Sequence, residues 1–189
     1  MTYKYIVVLA SSAGGLKALS QVLSSLPSDF PAPIVLVQHL SPQYPSMLAD
    51  IFSRRCSLVV KEAHTGDILQ PGTVYIAPPD EHLLINLDGT LSLAHTQKVR
   101  YVRPAADVLF NSAAISFHER VIAVVLTGKD SDGAAGVQAV KEMGGIVIAQ
   151  DQASSEFFSM PGAAIHTGVV DYILPLDAIA ATLLNLVNK

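Results

Sequence analysis

The chain has 189 residues, half of them hydrophobic and 15% charged, which suits one α/β domain with a sizeable core. A formal net charge of −4 at pH 7 lacks the basic surplus of a nucleic-acid binder, so no nucleic-acid partner is expected. A lone cysteine, Cys56, excludes an internal disulfide and fits a reducing cytoplasm; no apolar run reaches the roughly 20 residues of a spanning helix, so no membrane insertion is expected.

In chain order, "YIVVLA" (5–10) predicts a buried strand and a helix follows over about 14–25. "APIVLVQHL" (32–40) predicts a second strand, entered through Pro31 and Pro33. "YPSMLADIFSRR" (44–55) predicts a helix with Pro45 in its first turn. "LVVKEA" (58–63) and "TVYIAPP" (73–79) are further strands, the second after a "QPG" turn. Alternation around Asp88-Gly89 predicts a β-hairpin within 82–96. A helix over about 105–117 precedes the fully apolar strand "RVIAVVLTG" (120–128). A helix over about 132–143, the strand "GGIVIAQD" (144–151), the short edge piece "VVDYILP" (169–175) and a helix over 176–188 complete the pattern. The order implies a doubly wound, mostly parallel sheet with helices on both faces and a β-hairpin insertion, as a single domain over 1–189.

In such sheets functional groups gather beyond the carboxyl ends of the strands. The loops there carry Ser11, Ser12, Gly14 and Gly15, then Gln38 and His39, then Thr127, Gly128, Asp130, Asp132 and Gly133. A serine, a histidine and an aspartate at one edge supply a nucleophile, a general base and a group that orients the base. Ser12 lies on the turn itself, whereas Ser11 is nearer the strand and more buried. Asp132, followed by Gly133, opens a helix; Asp130 is its rival, and spacing does not separate them. A helix starting just after the serine points free N–H groups at the site, suited to an oxyanion.

Other readings of the same residues compete. "SSAGG" is also a plausible anion-binding turn, but G-x-G-x-x-G and G-x-x-x-x-G-K-[ST] are absent. Asp132 is equally explained as a helix N-cap. Cys56, with no His or Asp beside it, reads as structural. The remaining histidines show no ligand spacing, so no metal site is expected. The order Ser, His, Asp departs from the Ser, Asp, His of α/β-hydrolases, and G-x-S-x-G is missing.

Seven segments, in order along nearly the whole chain, resemble the catalytic domain of CheB-type chemotaxis methylesterases: "ASSAGG", "VQHLSP", "LQPGTVYIAPPDEHLLI", "VRPAADVLFNSAA", "LTGKDSDGAAG", "GGIVIAQDQASSEFFSMPGAAI" and "VVDYILPL". The resemblance implies a cytoplasmic protein-glutamate methylesterase that hydrolyses glutamyl methyl esters on the cytoplasmic region of chemoreceptors, with glutamine deamidation open to the same acyl chemistry. It implies Ser12 as nucleophile, His39 as base and Asp132 as orienting acid, with no cofactor and no metal. The backbone N–H groups of Ala13 and Lys129 are the implied oxyanion donors. Arg100 and Arg103, in "KVRYVRPAAD", match a segment near the active-site edge and are substrate-side candidates.

The sequence departs from the family pattern in places. A threonine after the nucleophile is Ala13 here, and a Met-Gly pair is Lys129-Asp130. Asp130 brings a negative charge, and Lys129 a positive one, to where an oxyanion forms. If the replaced glycine has positive φ, Asp130 carries a strain. Family members often precede this domain with a receiver domain, and the first strand here starts almost at Met1, so a stand-alone form or a piece of a longer protein is expected. Two other functions fit the same chain: a catalytically silent receptor-binding module, and a serine hydrolase with another ester substrate.

Overall fold

Fully apolar runs become the centre of one parallel sheet, because strands covered on both faces have no polar side to present. The computed structural model describes residues 3–40, 43 and 45–189. In chain order its elements are β1 (Ile6–Ser11), α1 (Gly15–Ser24), β2 (Ile34–Gln38), α2 (Leu48–Ser53), β3 (Val59–Glu62), β4 (Thr73–Ile76), β5 (His82–Ile85), β6 (Leu91–Ala94), α3 (Ala106–Phe117), β7 (Val121–Val125), α4 (Ala134–Glu142), β8 (Ile146–Gln150), α5 (Ser159–His166), β9 (Tyr172–Leu174) and α6 (Leu176–Val187). The main sheet has the order β3-β4-β2-β1-β7-β8-β9, with every pairing parallel. The expected hairpin forms: β5 and β6 pair antiparallel as a separate two-stranded sheet.

Alternation along the strands divides the core in two. Ile6, Val8 and Ala10 of β1 face a cluster with Phe110 and Phe117 of α3, Val137 of α4, Met160 of α5, and Leu83 and Leu91 of the hairpin. Val7 and Leu9 face the opposite cluster, with Leu19 and Val22 of α1, Phe52 of α2 and Leu183 of α6. Strand succession runs outward from β1 to β2 and outward the other way from β7 to β8 and β9, so the sheet reverses direction at the β1–β7 junction. That junction is where such sheets bind ligands. Among the described residues no helix is long and apolar enough to cross a membrane.

Two elements differ from expectation. The second helix begins at Leu48, with Pro45 ahead of it; Ser46 Oγ accepts the Leu48 N–H (3.2 Å), and Ser41, Pro42 and Tyr44 lie outside the described residues. Helix α5 was not expected; it carries Pro161 and Gly162 in its first half. Pro161 is its third residue, in the first turn, where a missing N–H breaks no helical bond. At Gly162 a side chain would meet the Phe158 ring, its Cβ 3.1 Å from Cε1.

Candidate active site

Strand β1 delivers two adjacent serines into opposite environments. Ser11 is fully buried, and its Oγ donates to Gln38 Oε1 at 2.6 Å. Ser12 is partly exposed on the turn, and its hydroxyl makes no hydrogen bond to any described residue. The Gln38 amide, at the end of β2, braces both loops: Nε2 donates to Ser12 O (2.8 Å) and His39 O (3.1 Å). The His39 N–H donates to Ser11 O (3.1 Å), and the Ser12 N–H to Thr127 O (3.0 Å), so the loops after β1, β2 and β7 are stitched together.

The close approach requires glycine. A Cβ on Gly15 would stand 2.0 Å from Gln38 Oε1 and 2.6 Å from Ser11 Oγ. Gly14, at the helix N-cap, has φ +77°, a backbone that side chains disfavour.

Asp132 is completely buried, but it does not cap the helix that follows it. Gly133 holds the N-cap position of α4, with φ +94°. Instead the Asp132 carboxylate accepts the N–H groups of Ala106 (Oδ2, 2.5 Å) and Asp107 (Oδ1, 3.0 Å) at the start of α3. The expected capping role therefore serves a different helix. The same Oδ2 lies 2.8 Å from His39 Nε2.

Asp130 stands on the other side of the imidazole, with Oδ2 3.0 Å from His39 Nδ1. This is ion-pair distance without hydrogen-bond alignment, and Nδ1 is buried with no aligned partner among the described residues. The other oxygen, Oδ1, accepts the Asp132 N–H (2.9 Å) and so fixes the carboxylate. Asp130 does not adopt a positive φ, which removes the expected backbone strain. Burial depresses the His39 pKa, but Asp130 and then Asp132 outweigh it and raise it to about 9. Burial raises Asp130, and His39, the Asp132 N–H and the Arg100 charge together more than reverse that, leaving its carboxyl below the usual range.

Lys129 does not neutralise Asp130; its ammonium lies 4.3 Å from the centre of the Phe157 ring. The backbone N–H groups of Ala13 and Lys129 donate to no described residue. Arg100 is shared between Asp107 Oδ2 (Nε, 3.1 Å) and Ser131 Oγ (3.1 Å). Arg103 is locked to Asp80 Oδ1 (3.1 and 2.8 Å) and to the Thr96 carbonyl. A cavity of about 90 Å³ beside His39 is lined by Leu40, Lys98, Tyr101, Val102, Arg103 and Pro104. A larger cleft, about 240 Å³, opens between α1 and α6 and is lined by neither Ser12 nor His39. Among the described residues no cluster of three or more His, Cys, Asp or Glu is arranged to hold a metal.

Sequence reasoning did not foresee three features: the Gln38 brace, its counterpart Gln150, whose Oε1 accepts the Thr127 N–H (2.9 Å), and the contact of Asp130 with His39. A polar residue ending a fully apolar strand is the signal for the first two, since a buried amide must be paired.

A parallel α/β sheet that sets a serine on a strand–helix turn, with an imidazole held by carboxylates at the same edge, has the architecture of an ester-hydrolase domain. More narrowly, the chain belongs to the CheB methylesterase family, whose model matches residues 7–183. It is similar to the crystal structure of the Thermotoga maritima CheB methylesterase catalytic domain, with TM-score 0.93 and 42% identity, covering 97% of this chain and 98% of that one. Protein-glutamate methylesterase FrzG of Myxococcus xanthus is 44% identical over 183 residues, 97% of this chain and 55% of that protein. The protein-glutamate methylesterase/protein-glutamine glutaminase of Geobacillus kaustophilus is 43% identical over 188 residues, 97% of this chain and 54% of that protein. The chain thus spans about half the length of these two relatives, and 96% of a Leptospira interrogans relative that is 40% identical.

Proposed function

We propose that the chain is a protein-glutamate methylesterase acting in the cytoplasm on methylated chemoreceptors, with Ser12, His39 and Asp132 as its triad. The observation that carries this is the 2.8 Å contact of His39 Nε2 with buried Asp132, at the edge where Ser12 sits on its turn. With Nε2 so held, Nδ1 is the nitrogen that takes the serine proton. Ser12 Oγ attacks the ester carbonyl carbon as its proton passes to Nδ1. The free N–H groups of Ala13 and Lys129 receive the oxyanion. The C–O bond to the methoxy group then breaks, and methanol leaves with the proton from Nδ1. Water adds to the glutamyl-Ser12 ester, gives its proton to Nδ1, and the carboxylate is released as Ser12 recovers its proton. Glutamine deamidation follows the same course with ammonia as leaving group.

Arg100, on the exposed rim, is the better substrate-side candidate; Arg103 is committed to Asp80. Methanol release from methylated receptor cytoplasmic fragments tests the reading. Wild type and Ser11→Ala are expected to release methanol, and Ser12→Ala to fall by about 10³-fold or more. Equal release by wild type and Ser12→Ala would sink it. Asp130 beside Nδ1 favours a second reading, a receptor-binding module without turnover. Receptor binding by a folded wild type that releases no methanol would establish that one.

A further inference from the structure

We propose that Asp130 is a positioning residue that competes with Ser12 for His39 Nδ1, holding the ring as an imidazolium that must be released before turnover; this rests on the reading of Ser12 and His39 as nucleophile and base. Each ring nitrogen faces a carboxylate oxygen, Nε2 at 2.8 Å and Nδ1 at 3.0 Å. A neutral imidazole has one N–H and one lone pair, so one of its nitrogens would present a lone pair to an anion. Only the doubly protonated ring satisfies both sides. That ring has no lone pair at Nδ1, and without one it cannot take the Ser12 proton.

The surroundings do not cancel the extra charge. Lys129, in the same loop, lies over Phe157, and Arg103, lining the cavity beside His39, is paired with Asp80. Lys98 lines that cavity without an ion pair to any described residue. Arg100 bonds Asp107 and Ser131, yet its charge also favours the Asp130 anion. The His39 side chain is 10% exposed and that of Asp130 33%, so water screens the pair only in part. Asp130 is aimed, since the Asp132 N–H fixes its Oδ1. The Nδ1 contact nevertheless lacks hydrogen-bond alignment, which leaves it open to replacement by a better-placed partner.

Asp130→Asn keeps an acceptor for the Asp132 N–H and removes the charge. The test pairs an NMR titration of the His39 imidazole with the pH profile of methanol release, on wild type and Asp130→Asn. His39 is expected to titrate about one pH unit or more lower in the variant, with the acid limb of kcat/KM moving equally and release at neutral pH rising about tenfold. A purely structural Asp130 would instead lower activity at every pH and leave the limb where it was. That outcome, or the same titration point in both proteins, overturns the proposal. Asp130→Gly, read the same way, serves if the asparagine variant fails to fold. A shifted titration with no methanol from either protein keeps the His39 contact and removes the methylesterase reading instead.

Discussion

Ser11 and Ser12 share a dipeptide but not a role, and burial separates them. The Ser11 hydroxyl is committed to Gln38, so Ser11→Ala leaves a buried amide oxygen unpaired at a cost of about 1–3 kcal/mol, read as a lower urea midpoint with the triad chemistry retained. His39 makes stability depend on pH. Its ordinary value of 6.5 rises to about 9 in the fold, so the native state binds the ring proton more tightly than the unfolded chain does. The resulting stabilisation is complete below about pH 6.5, declines above it and is gone once the pH has risen through about 9. Asp130, whose pKa is depressed, contributes above its unfolded value of 3.8 and loses that contribution as pH falls through its lower folded value. Wild type is therefore expected to exceed Asp130→Asn in urea midpoint by the widest margin at about pH 5–6, and the two to converge above about pH 9. A margin that stays constant across that range would mean that Asp130 acts through its turn and not through the imidazole.

At the scale of elements, the site depends on how closely α3 and α4 pack. A Cβ on Gly136 would stand 2.6 Å from Phe110 Cβ, and the Gly136 N–H donates to Asp107 Oδ1 at 2.8 Å. Gly136→Ala must push the helices apart, with an expected cost of about 1–3 kcal/mol by chemical denaturation. Because Asp132 bonds the first turn of α3 from the loop leading into α4, the same substitution is expected to broaden or shift the His39 imidazole signals. This also explains what could be read in advance. The runs at 5–10, 32–40, 120–128 and 144–151 are too apolar and too short for anything but buried strands, and their order dictates the parallel sheet. The strand-end rule then collects Ser11, Ser12, His39, Asp130 and Asp132, and only the family resemblance singles out Ser12 and Asp132 among them. Helix α5 was hidden because Pro161 and Gly162 are tolerated only by their place in the first turn and beside Phe158. The partner of Asp132 was hidden because a carboxylate near a helix start does not say which helix start; α3 lies about 25 residues away in sequence. Likewise the charge at position 130 was visible, but not which ring nitrogen it would meet.

Across the whole molecule, the reacting groups hang from the most deeply embedded strands. β1 pairs along its length with β2 on one side and β7 on the other, and all three are fully buried, with apolar clusters on both faces. Ser12 and His39 follow β1 and β2 directly, and Asp132 lies in the loop between β7 and α4. The sheet edges differ: Val59 on β3 is 64% exposed and Ile173 on β9 is 52% exposed. Local opening is cheapest where few apolar contacts are lost, so the edges should open without the centre. Amide hydrogen exchange is expected to be slowest in β1, β2 and β7, proceeding there only through global unfolding, and faster in β3 and β9. Ser12→Ala and Asp130→Asn remove reacting or charged atoms at the loop ends without touching strand contacts. Both should therefore leave the order of protection unchanged, while Asp130→Asn lowers the global limit below about pH 6.5. If β9 were protected as strongly as β1, the edge would belong to the same cooperative unit as the centre, and the rigidity of the site could not be assigned to the three central strands.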